Sequence, residues 1–82
     1  MNEQDIKKTI FQLLKNIAPE TDPSQLKADE NIREALNIDS FDALQFIVAL
    51  DKSLGIEIPE EDYGKTATLK NLLSYLQKKI DR

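Results

Sequence analysis

Residues 39–55 read DSFDALQFIVALDKSLG: a polar start, a long apolar run and a terminal glycine. Asp39 or Ser40 can cap a helix, because the side-chain oxygen of either residue can accept a hydrogen bond from a free N–H group of the first turn. Gly55 suits the left-handed position that commonly follows the last turn. The stretch therefore predicts a helix from about Ser40 to Leu54.

This predicted helix carries two apolar faces when it is wound at 100° per residue. One face comprises Ala43, Phe46, Ile47, Leu50 and Leu54. The other comprises Phe41, Leu44 and Val48, accompanied by Gln45 and Lys52. One face must meet the core, and the second is either covered, in a helix buried on all sides, or exposed. An exposed apolar stripe edged by acidic side chains suits a basic, grooved partner.

Helical patterns also surround this segment. Apolar residues from Ile6 to Ile17 recur at spacings of three and four, between a start at Asn2 and a stop at Pro19. A short helix is expected to start at Pro59, because proline suits the first helical position. A last helix follows Thr68, with one apolar stripe and basic residues near its end.

Residues 18–38 form a long connection, and loops of this length are often functional. A single helical turn is expected at 34–36 within it. No segment sustains the two-residue alternation of a strand. We therefore predict an all-α fold in a single domain over 1–82: a small four-helix bundle with three longer helices and one short helix, and a long loop between helices 1 and 2.

Composition excludes several kinds of chemistry. The 82 residues include no Cys and no His. Disulfides, thiolate or histidine-ligated zinc sites and a Ser-His-acid triad are therefore impossible. The two glycines cannot form a phosphate-binding loop. We expect neither catalytic residues nor a metal site.

Charge and hydropathy indicate the setting in which the protein works. No apolar run reaches the roughly 18 residues that span a bilayer, and the N-terminus lacks the basic start of a secretion signal. We therefore expect a cytoplasmic protein without a membrane span. Residues 39–62 carry seven acidic residues against Lys52 alone, a net −6. Such a surface repels nucleic acid and steers basic protein partners, although the same charge also serves solubility.

Ser40 has two interpretations. As an ordinary helix start it contributes about 1 kcal/mol as a cap. As a modification site, its hydroxyl lies where a helix N-terminus favours an anion such as a phosphodiester. Ser40 cannot activate itself, since the chain lacks histidine and Lys52 lies three turns along the helix. Any covalent chemistry at Ser40 must therefore be performed by another protein, and Asp39 and Asp42 could help hold a divalent metal that such an enzyme brings.

Residues 36–42 resemble a motif of a known family. Leu36-Asn37-Ile38-Asp39-Ser40-Phe41-Asp42 is similar to the Asp-Ser-Leu motif of acyl carrier proteins. The resemblance continues through Ala49-Leu50, the segment Gly55 to Glu61 and the last amphipathic helix, so it covers the chain from Ile6 to Ile80. It implies an acyl-carrier-like domain that is a substrate of other enzymes and not an enzyme itself.

The resemblance also implies a cofactor and a set of site residues. Ser40 would receive 4′-phosphopantetheine from coenzyme A, through a phosphopantetheinyl transferase (holo-carrier synthase) with Mg²⁺. The arm would hold acyl groups as thioesters for acyl-loading and acyl-processing enzymes of fatty-acid, lipid or polyketide-type synthesis. The implied partner-recognition residues are Asp39, Phe41, Asp42, Leu44, Gln45, Val48, Glu60 and Glu61. Those implied for an acyl-chain pocket, or for the core alone, are Phe46, Leu50, Leu54, Ile58, Tyr63 and Leu72.

Several residues depart from the family pattern. Asn37 stands where glycine is usual, and Phe41 replaces the common leucine. Gln45 and Lys52 replace glutamates of typical fatty-acid carriers, which favours a specialised carrier over one for primary fatty-acid synthesis. We also expect the protein to be a monomer. Two alternatives stay open: an aminoacyl or peptidyl carrier of the D-alanyl type, and a non-enzymatic helical adaptor in which Ser40 is only a helix cap.

Overall fold

The computed structural model describes residues 2–81. Its α-helices are α1 (Glu3–Ile17), α2 (Ile32–Leu36), α3 (Ser40–Leu54) and α4 (Leu69–Ile80), and 3-10 helices lie at Pro23–Gln25 and Glu60–Thr66. The three long helices and the second 3-10 helix, called the 60–66 helix below, form the expected bundle. The all-α, four-helix prediction is confirmed, and α2 lies inside the long loop, where the sequence predicts a single turn at 34–36.

Side-chain caps explain where the three long helices begin. Asn2, Asp39 and Thr68 each accept a hydrogen bond from the backbone N–H three residues later, at 2.9, 2.8 and 3.1 Å. Caps of this kind contribute about 1 kcal/mol each. α3 ends at Gly55, whose φ of 65° is a conformation that glycine adopts without steric cost. The predicted bounds of α3 are therefore confirmed.

The core lies between the apolar faces of the three long helices. The side chains that are fully buried there are Ile6, Ile10, Leu14, Leu50, Leu69, Leu72 and Leu76. α3 adds Phe46 and Ile47 from the same face. Burial of each large apolar side chain contributes roughly 1.5–3 kcal/mol, which the conformational entropy of the chain largely offsets.

Backbone pairing holds the long loop against the start of α4. The pairings are the Ile32 N–H with the Ala67 carbonyl at 2.9 Å, the Lys70 N–H with the Ala28 carbonyl at 2.8 Å, and an isolated bridge between Asn31 and Thr68. The loop also buries Pro23 and Leu26. It is therefore an ordered layer of the fold, and its helical turn α2 is longer than the 34–36 turn that the sequence predicts.

The third helix differs from the prediction in its type and its start. Pro59 lies just before the helix in an extended conformation, with φ −69° and ψ 153°, and residues 60–66 form a 3-10 helix. No side chain among the described residues caps it, and none of its own side chains is fully buried. The hydrogen-bond geometry of a 3-10 helix is poorer than that of an α-helix. The 60–66 helix therefore depends on its contacts with the rest of the bundle.

Candidate cofactor-attachment site

A left-handed turn leads the chain into α3. Asn37 has φ 54° and ψ 44°, and its N–H donates to the carbonyls of Arg33 and Glu34 within α2. Ile38 donates its N–H to the Arg33 carbonyl at 3.0 Å and buries its side chain. Asparagine is one of the few residues other than glycine that adopt this conformation. The substitution of Asn37 for the usual glycine therefore leaves the turn intact.

Asp39, and not Ser40, caps α3. The Asp39 Oδ1 accepts a hydrogen bond from the Asp42 N–H at 2.8 Å, whereas Ser40 is the first residue of the helix. Ser40 is exposed, and its hydroxyl has no hydrogen-bond partner within residues 2–81. The adaptor interpretation gave Ser40 only the role of a cap, and that part of it is wrong.

The surroundings of Ser40 fit a phosphodiester. The first N–H groups of a helix lack partners within it, and the helix dipole favours negative charge at this end. The N–H of Asp42 is already satisfied by Asp39, which leaves those of Ser40 and Phe41. A bare phosphate would be repelled by the neighbouring carboxylates of Asp39 and Asp42, and a divalent cation between the groups would reverse that effect.

The second apolar face of α3 is exposed to solvent. Phe41 is 65 %, Leu44 is 47 % and Val48 is 42 % accessible. We call these three residues the exposed stripe. Phe46 and Ile47 are buried on the opposite face. The sequence interpretation in which α3 is buried on all sides is therefore wrong, and the one with an exposed second face is confirmed.

Polar side chains surround the exposed stripe. Asp39 and Gln45 are exposed on or beside the first turns of α3, and Asp42 is partly exposed. Glu60 is exposed and lines the same groove as Leu44, whereas Glu61 is exposed beside it in the chain. Lys52 is exposed on the last turn of α3. The structure thus brings acidic groups to the Ser40 end of the stripe.

A groove of about 620 Å³ opens beside Ser40, between α2, α3 and the 60–66 helix. Apolar side chains form much of its wall: Ile32, Ile38, Ala43, Leu44, Phe46 and Ile47. Arg33 and Glu60 contribute charged groups to the lining, and Tyr63 contributes an aromatic ring. We call this the Ser40 groove. Ser40 lines it, together with Phe46 and Ile47 from the buried face of α3.

All six residues predicted for a pocket or for the core belong to the core or pack against it, and two of them also line the groove. Phe46 and Tyr63 line the Ser40 groove. Leu50, Ile58 and Leu72 are buried in the core, and Leu54 packs against it. These four do not line the groove, because they occupy the space between the helices. These four residues have the core-only position that the sequence analysis gave as an alternative, and the groove lies beside them.

A polar contact that sequence reasoning missed links the 60–66 helix to α4. The Tyr75 hydroxyl donates a hydrogen bond to Asp62 Oδ2 at 2.6 Å, and Lys65 Nζ lies 3.1 Å from Asp62 Oδ1. Burial, followed by the hydrogen bond to Asp62, raises the pKa of Tyr75 to about 12. The hydrogen bond from Tyr75, with a further one from Lys65, lowers the pKa of Asp62. Tyr75 and Asp62 lie 13 residues apart in different helices, so no local pattern signals the contact.

Residues 2–81 contain neither a cluster of metal ligands nor a helix that could span a membrane. No three acidic side chains there converge on a position that could hold a metal ion. None of the helices formed by these residues has both the length and the apolar character that crossing a membrane requires.

Comparison with known proteins identifies relatives of this fold. The family profile described as "Phosphopantetheine attachment site" matches residues 8–76. The acyl carrier protein of Bdellovibrio bacteriovorus is 36% identical over 58 residues, which cover 71% of this chain and 74% of the relative. The acyl carrier protein of Wolinella succinogenes is 33% identical over 73 residues, which cover 89% and 90%. That of Thermosynechococcus vestitus is 34% identical over 59 residues, which cover 72% and 73%.

The helical bundle and the family match together define a phosphopantetheine-carrying protein. The chain belongs to the acyl carrier protein family. It carries covalent 4′-phosphopantetheine, and it is a carrier on which enzymes act, not a catalyst. Such carriers are modified by a phosphopantetheinyl transferase and work with enzymes that process their cargo.

Proposed function

We propose that Ser40 is the attachment residue, and that the protein holds acyl groups as thioesters for a specialised branch of fatty-acid, lipid or polyketide-type synthesis. The observation that carries this proposal is the exposed Ser40 hydroxyl, which has no partner in residues 2–81 and lies at the positive end of α3 beside an apolar groove. The terminal thiol of 4′-phosphopantetheine supplies the sulfur that a chain without cysteine lacks.

The division of labour between Asp39 and Ser40 supports this assignment. Asp39 holds the first turn of α3 in place through its contact with Asp42. Modification of the neighbouring hydroxyl therefore breaks no hydrogen bond of the fold. The Ser40 and Phe41 N–H groups then favour the negative charge of the attached phosphodiester. Asp39 and Asp42 act as a recognition pair for the transferase and its Mg²⁺.

The exposed stripe is the proposed docking surface for partner enzymes. Phe41 projects the largest apolar area, and apolar anchors surrounded by polar groups provide much of the affinity at protein interfaces. Asp39, Asp42, Glu60 and Glu61 add negative charge, which speeds encounter with a basic partner. Gln45 lies on the same exposed side of the helix and Lys52 lies at its far end, so the acidic character is concentrated near Ser40.

The lining of the Ser40 groove favours acyl cargo over aminoacyl cargo. An alkyl chain gains from contact with Leu44, Phe46 and Ile47. The ammonium group of an aminoacyl thioester would lose hydration there, at considerable cost unless it were paired. Phe41, Gln45 and Lys52 support a specialised pathway, because each departs from the pattern of carriers for primary fatty-acid synthesis. We further propose that the protein is a single-domain monomer that acts in the cytoplasm.

The attachment site is tested by mass spectrometry after the apo-protein is incubated with coenzyme A, Mg²⁺ and a broad-specificity phosphopantetheinyl transferase. We expect one phosphopantetheinyl adduct on the wild type and none on Ser40→Ala. Ser53→Ala is the matched control, because Ser53 is an exposed serine of the same helix. An unmodified wild type, beside a known carrier labelled in parallel, would refute the proposal, and an adduct on Ser40→Ala would move the site elsewhere.

Cargo class is tested with the holo-protein. Octanoyl and D-alanyl forms are prepared and their melting temperatures are compared with that of the free thiol form. We expect the octanoyl group to raise the melting temperature and the D-alanyl group to leave it unchanged. A rise with D-alanyl alone would favour the aminoacyl carrier.

A further inference from the structure

We infer that Tyr75 is a positioning residue: through Asp62 it fixes the 60–66 helix as one wall of the Ser40 groove, and so sets which acyl chain lengths the protein shelters. This inference rests on the proposed function, in which the groove receives the cargo. It assigns a role to a contact that lies outside the attachment site and outside the exposed stripe.

The geometry links the two sides of the 60–66 helix. Asp62 accepts the hydrogen bond from Tyr75 on α4, whereas the next residue, Tyr63, lines the Ser40 groove. Successive residues of a 3-10 helix lie about 120° apart around its axis. Asp62 is therefore hydrogen-bonded to α4, whereas its neighbour Tyr63 forms part of the groove wall. Any displacement of Asp62 must also move Tyr63 and the adjoining wall residue Gly64.

The 60–66 helix has few stabilising contacts within itself. None of its residues is fully buried, and Pro59 provides no side-chain cap. The hydroxyl of Thr66 donates to the Tyr63 carbonyl at 2.7 Å, which stays within the helix. A short 3-10 helix with these properties belongs to the low-stability end of a fold, where local opening is most frequent. Besides the packing of partly buried Tyr63 against the core, the Tyr75–Asp62 hydrogen bond ties this helix to α4, so its loss should have a large effect on the position of the helix.

Of the two groups bound to the Asp62 carboxylate, Tyr75 is the important one. The Lys65 side chain is 67% exposed, and exposed ion pairs contribute little. The Asp62 side chain is only 19% exposed, and the Tyr75 hydroxyl is partly buried. A hydrogen bond to a carboxylate is short and strong in such surroundings. The pKa of Asp62 is lowered chiefly by the bond from Tyr75, which agrees with this order.

The test uses Tyr75→Phe, which keeps the aromatic ring and removes only the hydroxyl. Lys65→Gln is the matched control, because it removes the exposed ion pair on the same carboxylate. Wild type and both variants are converted to the holo form and loaded with butyryl, octanoyl or palmitoyl groups. The melting temperature of each acyl form is compared with that of its own free thiol form, so a general loss of stability cancels.

We expect the wild type to gain stability from some chain lengths more than from others, because a fixed wall admits a limited volume. Tyr75→Phe should lose this chain-length preference, since a wall that moves fits the optimal chain less closely and excludes the longest chain less strictly. Lys65→Gln should keep the wild-type preference. An unchanged preference in Tyr75→Phe, or no gain from any chain in the wild type, would overturn the inference.

A second measurement does not depend on the cofactor. Amide hydrogen exchange of the apo-proteins should be about tenfold faster over residues 60–67 in Tyr75→Phe, as for the loss of one charge-assisted hydrogen bond, with α1 unchanged. Equal exchange in wild type and variant would refute the positioning role. Failure of the proposed function is recognised separately, because the mass spectrum would then show no adduct on Ser40 whatever the exchange result.

Discussion

The Asp39 carboxylate accepts a hydrogen bond from the backbone N–H of Asp42 at 2.8 Å, across the first turn of α3. This contact assigns the stability of the helix start to Asp39 and leaves the hydroxyl of Ser40 free of a structural role. The two neighbours should therefore respond to substitution in opposite ways.

Ser40→Ala should leave the fold intact. Its hydroxyl has no partner in the described part of the chain, so the free energy of unfolding should change by less than about 0.5 kcal/mol. Urea denaturation of the apo-protein measures this. A loss as large as that caused by removal of the Asp39 cap would contradict the assignment of the two roles.

Asp39→Ala should cost about 1 kcal/mol of stability, because the Asp42 N–H loses its partner. In a domain of this size that corresponds to a fall of about 4–8 °C in melting temperature. Asp39→Asn is the control, since its amide oxygen can still cap the helix. We expect Asp39→Asn to keep the stability but to be modified more slowly by the transferase. Equal modification rates for Asp39→Asn and wild type would argue against a charge-reading role.

Phe41→Ala should slow modification and loading by partner enzymes with little change in melting temperature, because the ring is 65% exposed. Phe46→Ala provides the contrast on the same helix: that ring is buried, and its removal should cost about 3–5 kcal/mol. Steady-state rates measure the effect on modification and loading, and thermal melts measure the change in stability. A large stability loss in Phe41→Ala would place this residue in the core.

Asn37→Gly should be tolerated, whereas Asn37→Val should lower the free energy of unfolding by about 1–2 kcal/mol. The reason is the left-handed backbone, with φ 54°, that joins α2 to α3. Urea denaturation of the two variants tests it. Equal stability of the valine variant and the wild type would show that the turn does not hold this conformation in solution.

The Tyr75–Asp62 contact should be visible in the pH dependence of stability. The pKa of Tyr75 in the folded protein is raised from 10.0 to about 12, so folding favours the neutral phenol. Its contribution is complete below pH 10 and is lost as the pH rises toward 12. The pKa of Asp62 is lowered from its ordinary 3.8, so its contribution is present above that value and is lost in more acidic solution.

Apo wild type and Tyr75→Phe are therefore compared by urea denaturation across this range. The difference in their unfolding free energies should be constant near neutral pH and should shrink between pH 10 and 12. Other titrating groups are common to both proteins and cancel. A difference that stays constant to pH 12 would mean that neither burial nor the bond to Asp62 raises the pKa of Tyr75.

The sequence predicted α3 and its two faces because that information is local. A capping residue, a helical period and a terminal glycine all lie between Asp39 and Gly55. Helical periodicity separated the two apolar faces of α3 but left open whether the second was covered, whereas the family resemblance implied recognition positions at Phe41, Leu44 and Val48, which the structure exposes. Ser40 was distinguished by the chemistry that the remaining residues exclude.

The properties that were missed depend on tertiary geometry. The composition of residues 60–66 does not distinguish the 3-10 form that they adopt from an α-helix. Phe46 and Tyr63 line the groove, whereas Leu50 and Leu72 do not. This difference can be seen only when the positions of three helices are known. Sequence spacing alone could not show that Asp62 turns toward α4 while its neighbour turns toward the groove.

The pairing of Ile32 with Ala67 also has a consequence for how the chain folds. These two residues are distant in sequence, so their hydrogen bond requires the closure of a large loop, whose entropy cost precedes any gain from the contact. α1, α3 and α4 can each start to form from their local caps. The pairing of Ile32 with Ala67 can form only after the long loop has met the start of α4. We therefore expect residues 28–32 to acquire their native contacts late in folding, after the helices that they finally enclose.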